Sequence, residues 1–141
     1  MGLESINWGA VAAATVTMFV VGAIWYTPLF GNLWGKMHGF DKYSKKEQNE
    51  MRAQMMPLLL AQFVVTIFSA LGLVYFAQLL PELNIYALGF WVWLAFLVPT
   101  HVSDILFGGT EAKWLTTKIL IQMGGAFACT MAACFVISLF V

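Results

Sequence analysis

Four long stretches without charged residues constrain this chain more than any other feature of its sequence. No Asp, Glu, Lys or Arg occurs within residues 5–35, 53–81, 83–103 or 119–141. Each stretch can supply the roughly 20 apolar residues that a helix needs to cross a hydrocarbon core about 30 Å thick. The apolar runs are continuous and do not alternate, which favours helices over the strands of a membrane barrel. The sequence therefore predicts an all-α, integral membrane four-helix transmembrane bundle.

The boundaries of the four helices follow from the ends of these stretches. We expect transmembrane helices near residues 7–26, 57–80, 85–107 and 114–140, joined into a single transmembrane domain over residues 1–141. The one long connection is the loop 27–56. Within it, Ser44 and Glu47 have the spacing of a capping box, which predicts a short helix from Lys45 toward Met56. Pro57 then either starts the second transmembrane helix or kinks a continuous one.

Composition excludes the common soluble classes. The chain is 61% hydrophobic and 10% charged, whereas a typical soluble domain is about 45–50% apolar and about 25% charged. Seven basic and seven acidic residues give a formal net charge of zero, so no basic surface is expected for a nucleic-acid backbone. A lipid bilayer is the predicted partner, and nucleic acid is not.

The basic residues predict the orientation in the membrane. All seven Lys and Arg lie in the connection between the first and second helices or near the junction of the third and fourth. A four-helix topology places both connections on one side, which the positive-inside rule makes cytoplasmic. We therefore expect a bacterial inner-membrane protein with its basic loop in the cytoplasm and both termini outside.

Polar residues inside the predicted helices are the candidates for function, because ionisable groups in a membrane are costly and usually face protein or water. His101 and Asp104 are three residues apart and share a helix face. Pro99 lies just before them and removes a backbone donor. The predicted intramembrane polar cluster comprises His101, Asp104, Lys118, Tyr26, Gln62 and Gln122.

Three interpretations of this cluster remain open. In the first it is structural: Asp104 pairs with Lys118, and His101 bonds a neighbouring backbone group. In the second, His101 and Asp104 titrate along a proton or ion path beside Tyr26 and Gln62. In the third, His101 and Asp104 supply part of a metal site shared across subunits. Two protein ligands are too few for a closed zinc site, so no metal or cofactor is predicted.

Small residues on the fourth helix indicate close helix packing. They recur every fourth position in two stripes, formed by Gly124, Ala128 and Ala132 and by Gly125, Cys129 and Ala133. Four helices cannot present so many small faces to one another in full. We therefore expect a homo-oligomer contact through helix four.

The run from Gly22 to Pro28, with Trp25 and Tyr26 between them, is the most distinctive motif of the chain. It resembles the Gly-x-x-Trp-Tyr-x-Pro signature of the bacterial domain-of-unknown-function family 1761. The resemblance implies a small four-span membrane protein and supplies no catalytic residues. In helix four the family tends to have Leu-Ile-Asn-x-Gly-Tyr, where this chain has Gln122 and Gly125 in place of the Asn and Tyr.

The motif also has a physical interpretation of its own. Gly22 permits close packing, Trp25 and Tyr26 anchor the inner membrane interface, and Pro28 is expected to stop the first helix.

No nucleophile–base pair, phosphate-binding glycine loop or metal-ligand set occurs in the sequence, so we expect no enzymatic activity. Two function classes remain. The first is a structural, accessory or self-assembling membrane component, packed as a homo-oligomer or within a larger membrane complex. The alternative is a small oligomeric transporter or channel that uses the His101/Asp104 face for passage of protons, ions or solute.

Overall fold

The computed structural model describes residues 2–141, and this part of the chain contains helices and no strand. Four stretches are long and apolar enough to cross a membrane, namely Trp8–Leu29, Lys45–Leu79, Ile85–Phe107 and Ala112–Ser138. The predicted all-α fold with four membrane-spanning helices is confirmed. The α-helices are α1 (Trp8–Ile24), α2 (Gly31–Met37), α3 (Lys45–Gln54), α4 (Met56–Leu79), α5 (Ile85–Val92), α6 (Val98–Phe107) and α7 (Leu115–Ser138).

The two ends of the bundle differ in what they contain. At one end the N-terminal and C-terminal segments meet: the Asn7 side-chain amide donates to the Phe140 carbonyl at 3.5 Å, and the Asn7 backbone N–H donates to Gln78 Oε1 at 3.1 Å. We call this the terminal end. The other end carries the connections that contain the lysines, and we call it the lysine end.

The four spans do not form a symmetric square. α1 and α7 pack along each other, α4 lies mainly against α1, and α5 and α6 lie against α7. The hydrophobic core lies toward the terminal end, where small residues allow close approach. Its buried residues are Ile6, Ala10, Val11, Ala14, Ala70, Leu73, Val74, Ala77, Leu88, Ala133 and Ile137. The first turns of α4, at the lysine end, are exposed instead.

Pro28 does not end the first span, contrary to the expectation above. The helix widens into a π-helical turn over Trp25–Leu29, and the N–H of Phe30 donates to the Trp25 carbonyl five residues back at 3.0 Å. Proline lacks an N–H and crowds the carbonyl four residues before it. The wider turn lets the helix continue past the proline.

The third span contains a similar irregularity before Pro99. A π-helical turn over Trp93–Leu97 joins α5 to α6. The Thr100 hydroxyl donates to the Phe96 carbonyl at 2.6 Å, one position after Ala95, whose carbonyl loses its usual donor to Pro99. Hydroxyl bonds to the preceding turn and π-helical turns are local adjustments that accompany a proline within a membrane helix.

The long connection after the first span is mostly helical. Its second half forms α3, and both hydrogen bonds of the predicted capping box between Ser44 and Glu47 are present. α3 passes through Met55, which keeps a right-handed helical conformation, into α4, where Pro57 lies in the first turn. Pro57 is tolerated there because the first N–H groups of a helix have no intrahelical partner.

Candidate functional site

The end of the first span is joined to α7 by Trp25. Its indole N–H donates to the Ile121 carbonyl at 2.9 Å. The ring lies directly on two glycines of α7: a Cβ built on Gly124 would come 2.8 Å from the indole, and one on Gly125 would come 2.9 Å from it. Such distances exclude any side chain at either glycine unless Trp25 moves. The indole and the glycine pair therefore form one interlocked contact.

Other residues of the Gly22–Pro28 motif face the same helix. The Cys129 thiol donates to the Met18 carbonyl of α1 at 3.5 Å, and the Cβ position of Gly22 is 3.8 Å from the Cys129 sulfur. The hydroxyl of Tyr26 is 3.2 Å from the Cβ position of Gly125. Gly22, Trp25 and Tyr26 thus form the contact between α1 and α7.

Small residues of the fourth span, α7, were expected to form a homo-oligomer contact, and three of them pack within the chain. Gly124, Gly125 and Cys129 face α1. The neighbouring face of α7 receives α5, because a Cβ on Gly89 would overlap the Cys134 sulfur. Ala128 and Ala132 are partly buried. Contacts with α1 therefore account for Gly124, Gly125 and Cys129 without a second copy of the chain.

A second tryptophan binds α7 in the same manner. The Trp93 indole N–H donates to the Met123 carbonyl at 3.0 Å, and its ring meets Phe127 edge-on at 5.0 Å between centroids. Trp25 and Trp93 each begin a π-helical turn, and they donate to carbonyls two residues apart on α7. Trp93 was not predicted as a site residue. A tryptophan in the middle of a span was the available indication of such a contact between helices.

Within the predicted polar cluster, His101 and Gln122 are in direct contact. The Gln122 amide nitrogen lies 3.0 Å from His101 Nδ1. An amide nitrogen can only donate, so Nδ1 accepts and any proton of the neutral ring is on Nε2. The partner of His101 is therefore a side chain on α7 rather than the backbone group expected in the structural interpretation. Asp104 is exposed and forms no ion pair within residues 2–141.

Lys118 does not pair with Asp104, and this part of the structural interpretation is wrong. The Lys118 ammonium lies 3.2 Å from His38 Nε2 and 5.6 Å from the ring centroid of Trp34. His38 Nδ1 is 2.8 Å from the Trp34 carbonyl. Because the ammonium can only donate, Nε2 accepts and the Nδ1 proton is donated to the carbonyl. The first turn of α7 directs Lys118 toward α2, a helix that was not predicted from the sequence.

Tyr26 and Gln62 also have partners outside the proposed proton path. The Tyr26 ring lies 4.9 Å from that of Trp34 between centroids. The Gln62 amide donates to the Thr66 hydroxyl of its own helix at 3.4 Å, and Gln62 is exposed. Of the six predicted cluster residues, direct contact between side chains is thus found for His101 and Gln122.

Metal-ligating side chains are dispersed over the part of the chain that the structure describes. No group of three or more His, Cys, Asp or Glu is close enough there to hold a metal ion. Cys129 contacts α1 and Cys134 faces α5, so the two thiols lie on different faces of α7, as the spacing of five residues indicates.

A polar groove at the lysine end is the main feature that the sequence analysis missed. It has a volume of about 630 Å³ and lies between the segment 36–43 and the segment 108–118. His38 lines the groove and contacts Lys118 there. Each connection contains a glycine, Gly39 or Gly109, and both glycines adopt a positive φ. These glycines were the sequence signal for the sharp turns that line the groove.

Comparison with known proteins identifies the family and no closer relative. The family model described as "Protein of unknown function (DUF1761)" matches residues 9–139. No curated protein and no solved structure gives a significant match. The matched region contains the Gly22–Pro28 motif, the glycine pair of α7 and all four spans. Because the match extends over nearly the whole chain, this protein belongs to the DUF1761 family.

Proposed function

We propose that this protein is a non-enzymatic component of a bacterial inner membrane that assembles with a second copy of itself through α4. The observation that carries the proposal is a stripe of residues on α4, exposed or, for Gly72, partly exposed, which nothing else within residues 2–141 covers. The stripe consists of Leu58, Gln62, Val65, Ser69, Gly72 and Phe76. These residues are spaced three and four apart and therefore share one helix face.

The composition of the α4 stripe is that of a helix–helix contact in lipid. Small and polar residues are favoured at such contacts, because they allow close approach and hydrogen bonds between helices. Ser69 is exposed and Gly72 partly so, and the Cβ position of Gly72 has open space around it. Phe63 packs against Phe19 of α1 at 5.3 Å between ring centroids, so the α1-facing side of α4 is a different one.

Gln62 is the residue of the stripe that most requires a hydrogen-bonding partner from a second copy. Its side-chain nitrogen donates only to the Thr66 hydroxyl, four residues along the same helix, and its side-chain oxygen Oε1 accepts no hydrogen bond within residues 2–141. A buried amide that lacks hydrogen bonds is costly in an apolar medium. In a symmetric dimer, Gln62 of one copy can bond Gln62 of the other, since a two-fold axis brings the same surface of both copies together.

The charge distribution supports an orientation for the assembly. The connections between α1 and α4 and between α6 and α7 carry the lysines, and they lie together at one end. The positive-inside rule places that end in the cytoplasm. Both chain termini then lie on the periplasmic side. The proposed α4 contact crosses the bilayer from the cytoplasmic side to the periplasmic side.

The proposal is tested by measuring self-association of the full chain in lipid vesicles by energy transfer between labelled copies. We expect Gln62→Leu to raise the dissociation constant about fivefold, the equivalent of about 1 kcal/mol for a hydrogen bond between membrane helices. Gly72→Leu should weaken association further, because it fills the space where the second helix would approach.

Leu60→Ala provides the matched control, since Leu60 is 69% exposed and lies on the other side of α4. Its dissociation constant should stay within about twofold of the unsubstituted value, a surface effect of at most about 0.5 kcal/mol. A monomer at all protein-to-lipid ratios, or equal effects of Gln62→Leu and Leu60→Ala, would show that α4 is not the assembly surface.

Passage of protons is a second candidate function, favoured by one observation. Asp104 lies in the third span, exposed and without an ion pair within residues 2–141. Intramembrane carboxylates commonly belong to proton or ion paths, and His101 one turn away holds a titratable imidazole against Gln122. In this alternative, copies of the chain together enclose the His101/Asp104 face.

Vesicles that contain the protein and a pH-sensitive dye test this alternative directly. Under an imposed pH gradient, proton passage should dissipate the gradient faster than in protein-free vesicles, and Asp104→Asn should remove the difference. Asp41→Asn, in the connection outside the spans, is the control. Equal rates with and without protein would exclude proton passage and leave the assembly proposal unaffected.

A further inference from the structure

We propose that the groove at the lysine end binds a phosphate group. The groove is lined by four lysines and by two acidic side chains, Asp41 and Glu111. The lysines are Lys36, Lys42, Lys113 and Lys118. They come from both connections, so the site exists only in the folded chain. This inference is independent of the α4 assembly proposed above.

Lys118 is the best-positioned cation of the groove. It contacts Nε2 of His38 and the face of Trp34 rather than a carboxylate, so its charge remains available to an anion. Its two contacts also restrict its side-chain motion before a ligand arrives, which lowers the entropy cost of binding. By contrast, Lys113 already lies 3.4 Å from Glu111 in an exposed ion pair.

The chain between α6 and α7 adds neutral donors. Gly108 has φ −88° and ψ 11°, and Gly109 has φ 76°. Successive right-handed and left-handed residues turn their N–H groups toward one point, a concavity that binds anions. The N–H of Gly109 forms no hydrogen bond within residues 2–141. The Thr110 hydroxyl is buried and has no hydrogen-bond partner there.

The other connection shows the same backbone geometry with its donors already used. His38 and Gly39 also adopt right-handed and left-handed conformations. Their N–H groups, however, donate to the Gly35 and Lys36 carbonyls at the end of α2, both at 3.2 Å. The Gly39 N–H is therefore used within its own turn, whereas the N–H of Gly109, at the equivalent position, is unused within residues 2–141.

The donor set matches a phosphate better than a carboxylate. A phosphate monoester offers three strong acceptor oxygens and about −1.5 to −2 charges near neutral pH. Lysine ammonium groups bind such anions as point charges, while a backbone N–H and a hydroxyl supply directed donors. Trp34 and Trp114 lie at this end of the bundle, and tryptophans mark membrane interfaces. Both a lipid headgroup and a soluble phosphate can reach such a site.

The test uses the full chain in a neutral maltoside detergent and three probes of related chemistry. Dioctanoyl phosphatidic acid carries a phosphate on two acyl chains, glycerol 3-phosphate carries the phosphate without the chains, and dioctanoylglycerol carries the chains without the phosphate. Binding is measured by titration and by the rise in the thermal midpoint that a ligand of the folded state produces.

We expect Lys118→Gln and Lys36→Gln each to weaken binding of phosphatidic acid about fivefold, as removal of one interfacial lysine charge predicts. Lys36 is exposed and has no ion pair within residues 2–141, so it carries the test should Lys118→Gln disturb the fold. Lys46→Gln is the control, because Lys46 is exposed on α3, outside the groove.

Each pattern of binding has a distinct meaning. Binding of phosphatidic acid and glycerol 3-phosphate with lysine dependence would show that the phosphate group itself is recognised. Binding of phosphatidic acid alone would identify the source as a lipid headgroup, and binding of glycerol 3-phosphate alone would identify a soluble phosphate. Equal binding of dioctanoylglycerol, no saturable binding of either phosphate, or equal effects of Lys36→Gln and Lys46→Gln would overturn the inference.

Discussion

Replacing Trp25 with alanine is expected to lower the free energy of unfolding by about 3–5 kcal/mol, the cost of removing a large packed aromatic side chain. The indole fills the space above Gly124 and Gly125 and donates to the Ile121 carbonyl. Without it, α1 and α7 would be separated by a void toward the lysine end. Denaturant unfolding of the purified chain in mixed micelles measures the loss.

Two further variants separate the contributions to this effect. Trp25→Phe keeps an aromatic ring and removes the hydrogen bond, so it should cost about 0.5–1.5 kcal/mol, the usual net value of one such bond. Trp91→Ala is the matched control, since Trp91 is 60% exposed and should change stability little. If Trp25→Ala and Trp91→Ala had similar effects, the Trp25 contact would not stabilise the bundle.

Gly89→Ala is expected to destabilise the bundle by about 1–3 kcal/mol through overpacking. The added methyl group would overlap the Cys134 sulfur and lie 3.1 Å from the terminal methyl of Met131. Either α5 would have to move away from α7 or these two side chains would have to shift. Gly22→Ala is the control, because its Cβ would meet its nearest neighbour at an ordinary 3.8 Å. Thermal unfolding followed by tryptophan fluorescence compares the two variants.

Cys134→Ala is expected to suppress the destabilising effect of Gly89→Ala. It removes the sulfur that the new methyl group would strike, so the double variant Gly89→Ala/Cys134→Ala should be more stable than Gly89→Ala alone. The coupling between the two sites is read from a double-mutant cycle. Strictly additive effects would mean that Gly89 and Cys134 are not in contact.

The spans could be predicted because they depend on a property that each segment carries by itself. A stretch such as 119–141, apolar and without charge, must form a helix in lipid whatever its neighbours are. The capping box at Ser44 and Glu47 was predictable for the same reason, since its two hydrogen bonds join residues three positions apart. The contact between His101 and Gln122 needed only the two helices of a hairpin to meet, and both residues belong to the predicted polar cluster.

The pairing of Lys118 could not be predicted, because it depends on the path of a connection. His38 reaches Lys118 only because α2 forms directly after the first span and ends at Met37. That path requires the helix to continue through Pro28, which the local rule for proline excludes and a π-helical turn permits. The use of Gly124 and Gly125 was missed for a related reason, since their occupant, Trp25, lies about 100 residues away in the chain.

The helix that runs from Lys45 to Leu79 has a mechanical consequence. At 1.5 Å per residue, its 35 residues extend about 52 Å, whereas a bilayer with its headgroups is about 40–45 Å thick. The charged segment α3 therefore extends beyond the bilayer as a continuation of the membrane-embedded helix α4. Any tilt of α4 in the bilayer moves the far end of α3 through the surrounding water, and a force that binding exerts on α3 changes the tilt of α4.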